Sequence, residues 1–267
     1  LNKWLITAHT LKARYHNHLS KRDAAGSAQN ALASVQKALE LGASPATDAM
    51  AIFGAGDTEA NIWYQFIANR FGYITMGKYL VDTMLAAADP RLELYALPDE
   101  NGDYIGYPAG GGEDAPDPFA ISIIGYADHP DASLPLVTYR ELKFIEAECH
   151  WRLGNREEAA NAYNDALAAA LSLPGIGDTQ EYLDAWTRDV DSITLEDLMY
   201  QKYLALFAQF EVWTDYRRTG LPELQPAAGR TLNDFPRSMP TAQSERIRNA
   251  SAPKRTGVTT RLWWDVN

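Results

Sequence analysis

Apolar side chains recur along this chain at steps of three and four residues, the spacing that keeps one face of an α-helix apolar. Trp4, Leu11, Tyr15 and Leu19 set the first series, and Ala24-Ala25-Gly26-Ser27 reads as a break after it. Ala28, Ala31, Leu32, Val35, Ala38 and Leu39 predict a second helix, stopped at Gly42 with Pro45 just beyond. The two predict a helical hairpin over about 3–41. Residues 136–153 carry the strongest pattern. Tyr139, Leu142, Ile145, Cys149 and Leu153 line one face, while Phe144, Ala147 and Trp151 line the opposite one. A helix that is apolar on two opposite sides is packed between other layers, as in a stacked-helix array. After Gly154-Asn155, a partner helix with Ala159, Tyr163, Ala166, Leu167 and Ala170 closes at Leu173-Pro174-Gly175, so 136–172 is a second hairpin.

A last long helix is predicted from about Leu195 to Thr219. Thr194 is a good N-cap, and Glu196-Asp197 suit the positive end of the helix dipole. Leu195, Met199, Leu206, Phe210, Trp213 and Arg217 share a stripe. Arg217-Arg218 suit the negative end, Gly220 can take the left-handed terminating conformation, and Pro222 forbids continuation. Trp4, Trp151 and Trp213 lie on such stripes and read as core. Beyond Pro222 the chain reads as irregular, punctuated by Pro226, Pro236, Pro240 and Pro253.

Between the hairpins lies an insert over about 42–135. Within it Thr75 to Ala88 reads as helix. Leu92-Glu93-Leu94-Tyr95 and Tyr104-Ile105-Gly106-Tyr107 flank Asn101-Gly102, the turn signal of a β-hairpin. Gly110-Gly111-Gly112, Pro116 and Pro118 mark loop. No linker divides the chain, which reads as one helical domain over 1–267.

Gly154, Ala159, Tyr163 and Ala166 followed by Pro174 resemble the second half of a tetratricopeptide repeat, and Ala31, Ala38 and Pro45 echo it. The copies are too far apart for a tandem array. Longer motifs extend the likeness: Asn61-Ile62-Trp63-Tyr64-Gln65-Phe66, Asp89-Pro90-Arg91-Leu92, Tyr104-Ile105-Gly106-Tyr107-Pro108, Tyr139-Arg140-Glu141 with Glu146-Ala147-Glu148, and Trp213-Thr214-Asp215-Tyr216-Arg217-Arg218-Thr219-Gly220. With Phe235-Pro236-Arg237-Ser238-Met239-Pro240, Glu245, Asn249 and Leu262-Trp263-Trp264-Asp265, they follow one another in the order of the SusD/RagB family, which this chain resembles. That resemblance implies a mainly α fold, a superhelix of tetratricopeptide-like hairpins with long irregular loop insertions. It also implies a non-catalytic lipoprotein of the bacterial outer membrane, exposed at the cell surface, that captures a glycan or other nutrient for a TonB-dependent transporter. Family members are longer, with a signal, a lipidated cysteine and an N-terminal helical part. This chain matches their C-terminal portion, and its first residue, Leu1, is read as following a natural N-terminal part that is absent here.

Composition narrows the chemistry. With 24 Lys and Arg against 35 Asp and Glu, the net charge of −11 argues against a nucleic-acid partner. The single cysteine, Cys149, excludes an internal disulfide framework and a cysteine-based zinc site. No stretch approaches the ~18 apolar residues of a membrane helix. The Asp99, Asn101 and Asp103 series starts like a calcium loop, but Tyr104 and Gly110 stand where glycine and a bidentate Glu are required. Glu146 and His150 share a helix face and read as surface or interhelical hydrogen-bond partners rather than metal ligands; His16 and His18 point apart. Arg217-Arg218 read as partners of the helix-end carbonyls. No cofactor or metal is predicted.

What stands out is 7 Trp, 14 Tyr and 8 Phe. Aromatic faces stack on the apolar faces of sugar rings. Trp63, Tyr64, Phe66, Phe71 and Tyr73 cluster in the insert, with Tyr104 and Tyr107 nearby, where Gly106 permits close backbone approach. Trp63, Tyr64, Tyr104 and Tyr107 are therefore the candidate stacking residues; core packing of irregular loops is their alternative role. Two other functions compete: a tetratricopeptide-type adaptor for peptides, and an α-helical glycosidase.

Overall fold

A computed structural model describes residues 1–111, 116–117, 120–232, 234–253 and 257–266. Eleven α-helices and four short strands are present among them. The body is a stack of two helical hairpins: α1 (Asn2–His18) with α2 (Ala24–Glu40), and α6 (Tyr139–Leu153) with α7 (Arg156–Leu171). The turn of the first hairpin falls at 19–23, and Ala24-Ala25-Gly26-Ser27 belongs to α2 rather than to a break. Asp23 decides this, because its carboxylate accepts the Gly26 N–H at 2.8 Å and caps the helix. Thr138 caps α6 in the same way, and Gly154, at φ 81°, ends it.

The two-faced reading of α6 holds. Leu142, Ile145 and Cys149 join Ala28, Ala31 and Val35 of α2 in one buried cluster. Phe144 and Ala147 join Tyr163, Ala166 and Leu167 of α7 in another, with Phe144 edge-on to Tyr163 at 6.3 Å. α6 is thus the middle layer. Trp4 is not core; it is 76% exposed. Trp151 and Trp213 are half-buried under the guanidinium groups of Arg156 and Arg217.

The long C-terminal helix is two helices, α9 (Leu195–Ala205) and α10 (Glu211–Thr219). Thr194 caps the first and Gly220 closes the second as expected, but Ala208 turns between them at φ 60° and Phe210 is 82% exposed, off any buried stripe. The reason is electrostatic. Lys202 lies 2.8 Å from Asp215 and 3.5 Å from Glu148 of α6, and Arg218 bridges Glu148 and Asp215 at 2.6 Å each. In one straight helix, Lys202 and Asp215 would lie ~20 Å apart along the axis. The bend brings both onto Glu148. Arg217-Arg218 therefore answer buried carboxylates and neighbouring rings rather than helix-end carbonyls.

The insert differs from its reading in two places. The predicted helix at 75–88 is α4 (Lys78–Ala86), preceded by Gly77, which bridges Tyr107. The predicted hairpin does not form. Leu92–Tyr95 is one turn of helix, α5, and it is followed by β2 (Ala96–Leu97), which pairs with β3 (Ile123–Ile124). Tyr95 is buried with its ring stacked on Phe207 at 4.3 Å, and that contact outweighs local β-propensity. Asn101-Gly102 is still a turn, tied by the Asp99 N–H to the Asp103 carbonyl at 2.8 Å. β1 (Ala49–Ala51) pairs with β4 (Leu134–Val137), so the ends of the insert meet at the start of α6. α3 (Ile62–Asn69) and α8 (Gln180–Trp186) complete the cover, and the proline-rich tail carries one short helix, α11 (Gln243–Arg248). Gly112 and Pro118, read as loop, lie outside the described residues. No helix among the described residues is long and apolar enough to cross a membrane.

Candidate functional site

An open cleft of about 910 Å³ lies between the start of α4, the 107–109 segment and the 224–236 segment. Its position follows from backbone pairing. Tyr107 donates its N–H to the Met76 carbonyl and accepts from the Lys78 N–H, both at 2.8 Å. This is possible because residue 106 is glycine: a Cβ there would run into the Lys78 backbone. The close approach permitted by Gly106 is therefore to the chain's own α4. On the other wall, the Ala228 N–H donates to the Ala109 carbonyl at 3.0 Å, and Gly110 leaves room for that strap.

Four aromatic rings line the cleft: Tyr79, Tyr107, Tyr203 and Phe235. Tyr79 of α4 and Tyr203 of α9 meet edge to face at 6.0 Å. Burial pushes the Tyr203 phenol up to about 12, and burial together with Glu223 raises Tyr79, so both hydroxyls stay protonated at neutral pH. Gln225, Arg230 and Asp234 add polar groups. Burial works against the charge on Asp234, but the Phe235 N–H at 2.8 Å and Arg237 at 3.3 Å hold its carboxyl below the ordinary range. A smaller cleft of about 310 Å³ shares Tyr203, Leu224, Phe235 and Pro236 with the first and adds Trp213 and Tyr216. Tyr216 packs edge-on to Phe235 at 5.2 Å, so the aromatic wall is continuous.

The four candidate stacking residues do not gather in the cleft. Tyr107 lines the cleft. Trp63 and Tyr104 are half-buried against the cluster around Val81, Met84 and Leu92. Tyr64 is half-buried on α3, next to the Asn61 cap. Tyr79, Tyr203 and Phe235 escaped notice because each sat inside a segment read for other reasons; Tyr203 falls on the apolar stripe of its helix, four residues after Met199 and three before Leu206, where it reads as core. Glu146 pairs with Lys143 at 2.5 Å, and the His150 ring meets Asn155 at 3.3 Å. No group of three or more metal-ligating side chains occurs among the described residues.

A stack of helical hairpins with long loops folded over it defines the class of protein. The family model that matches residues 1–241 is the SusD-like family described as starch-binding and associating with the outer membrane, and the chain belongs to it. Its fold is similar to a chitin-binding protein (22% identity, TM-score 0.76), covering 99% of this chain and 65% of that one. It is similar to a SusD-like protein from Bacteroides thetaiotaomicron (20%, TM-score 0.72), covering 92% of this chain and 58% of that one. A SusD homolog from Bacteroides uniformis gives 18% and a TM-score of 0.73 over 100% of this chain and 65% of its own. The chain thus spans about three fifths of the length of these structures. None of the curated proteins compared matches it.

Proposed function

We propose that the chain binds an oligosaccharide in the cleft between α4 and the 224–236 segment, and binds it without cleaving it. The observation that carries this reading is the continuous aromatic wall of Tyr79, Tyr107, Tyr203 and Phe235 beside Gln225, Arg230 and Asp234. Rings offer flat apolar area to the C–H faces of sugars, and the side chains around them offer donors and acceptors to the hydroxyls. The one described carboxylate of the lining, Asp234, is already committed to Phe235 and Arg237, which suits holding a ligand rather than shuttling a proton. Membership of a family described as starch-binding, and the fold shared with a chitin-binding protein, support a glycan as the ligand class.

The same family description supports a place at the outer membrane. There, at the cell surface, the bound glycan would pass to a SusC-like TonB-dependent transporter. Titration with starch- and chitin-derived oligosaccharides, alongside an assay for cleavage products, tests the reading. Saturable binding without turnover is expected. Peptide binding in the cleft would replace the glycan reading with that of an adaptor, and efficient hydrolysis would make the protein a glycosidase. Co-purification from native membranes without any β-barrel transporter would count against the delivery step.

A further inference from the structure

A second cavity, of about 630 Å³, shares no described lining residue with the cleft. Exposed Pro45, Ala46, Ser172 and Pro174 form its mouth, and Tyr95, Tyr126 and Phe207 supply an aromatic wall. Arg140, in the first turn of α6, lines it while remaining only 6% exposed. A guanidinium has five N–H groups to satisfy. Nε of Arg140 donates to the Ala205 carbonyl at 3.0 Å. Its two Nη groups meet no acceptor within hydrogen-bond distance among the described residues, and the Asp48 carboxylate stands 3.9 Å from Nη1.

Two other buried arginines meet side-chain acceptors directly, although Arg91 Nη1 and Arg218 Nε have no hydrogen-bond partner among the described residues. Arg91 sends Nη2 to Asp89, Tyr182 and Gln201, and Arg218 sends both Nη groups to carboxylates at 2.6–2.8 Å. A fork left open against an aromatic wall is a site for a planar acceptor, since guanidinium and carboxylate match in a bidentate pair. Tyr95 and Tyr126 line the same space, and neither hydroxyl has a hydrogen-bond partner among the described residues. Lys3 also lines the cavity, so two cations and the single carboxylate of Asp48 line it; Asp48 accepts from the Tyr139 N–H at 2.7 Å and also feels the nearby Glu141 carboxylate.

We propose that this cavity binds a small ring-bearing carboxylate, its carboxylate on the Nη groups of Arg140 and its ring against Tyr95, Tyr126 and Phe207. A sugar acid and an aromatic acid share that chemistry. Calorimetric titration with D-glucuronate, benzoate and, as the neutral control, D-glucose tests it. Saturable binding of either acid, with glucose silent, is expected, and the acid that binds identifies the source. Arg140→Gln should weaken binding by roughly ten-fold or more. Should that variant fold poorly, Tyr126→Phe and Lys3→Ser keep the test open, each expected to lose roughly two- to five-fold. Binding of starch oligosaccharides in the cleft should be the same in all three variants. Absence of binding by both acids at about 20 mM, well above a millimolar dissociation constant, would overturn the proposal. Equal binding of glucose, or full affinity in both Tyr126→Phe and Lys3→Ser, would do the same.

Discussion

Layer α6 and the segment 104–111 are held by opposite means. α6 is gripped by side chains on every side: apolar clusters against α2 and α7, and a charged cluster against α9 and α10. Segment 104–111 is placed mainly by backbone bonds to distant strands of chain, from Ile105 to Ser122, Tyr107 to Met76 and Ala109 to Ala228. Side chains on a helix repeat with a period and tolerate shared loads. A backbone strap hangs on single positions, such as Gly106, where one atom too many breaks the fit. The stack therefore carries stability, and the strap carries the shape of the cleft.

The largest effect should come from the charged cluster under α6. Arg218→Ala leaves the buried Glu148 with Lys202, Arg152 and the Asn17 amide at 2.9 Å, and should cost about 3–5 kcal/mol in urea unfolding. The pH dependence follows. Burial alone would raise the Glu148 carboxyl, but Arg218, Lys202 and Arg152 hold it well below its ordinary value of 4.5. A depressed native value gives stability that is full above the ordinary value and lost as pH falls beneath it. Acid unfolding of the parent should therefore steepen below about pH 4, and that slope should shrink in Arg218→Ala. A parent with flat acid stability would sink the cluster as the anchor of α9 and α10.

Gly106→Ala should come next, at about 1–3 kcal/mol, because its Cβ meets the Lys78 backbone and the strap must shift. It should also lower oligosaccharide affinity, which a change in the stack should not do at matched stability. Tyr107→Ala should keep the melting temperature and lose about 1–2 kcal/mol of glycan binding, roughly ten-fold. Trp63→Ala and Tyr104→Ala, by contrast, should register first as lost stability, since both rings lean on the buried cluster around Val81. Equal affinity losses in all three, with no change in unfolding, would move the ligand site toward α3. The smallest effect belongs to Phe210→Ser. At 82% exposure it should change stability by no more than about 0.5 kcal/mol, whereas a core position of a continuous helix would lose several times that.

How much was legible divides along the same line. The opposed faces of α6, Leu142 with Ile145 and Phe144 with Ala147, showed in the spacing because helix burial is periodic and local. Thr194 and Gly220 were legible as caps for the same reason: their partners lie within four residues. The bend at Ala208 was not, since no glycine or proline marks it and its cause, Glu148, lies far back in the chain. Nor was the pairing of Ala96–Leu97 with Ile123–Ile124, where Asn101-Gly102 pointed to a nearer partner. Of the cleft, the sequence marked Tyr107 and the freedom of Gly106. It left Tyr79 and Tyr203 unmarked, because a tyrosine on a helix looks the same whether it faces core or cleft, and it showed Phe235 only as part of a family motif.

By itself, the sequence determined the helical hairpins, their two-sided middle layer, the caps and the order of motifs that marks the family. Each of these depends on residues a few positions apart, so a period or a spacing encodes it. Tertiary structure alone decided where α9 turns into α10, which strands pair, and which aromatics gather around a cleft or an open arginine. Those outcomes depend on which distant groups compete for the same buried charge or backbone donor, and the competition is settled only when the whole chain packs.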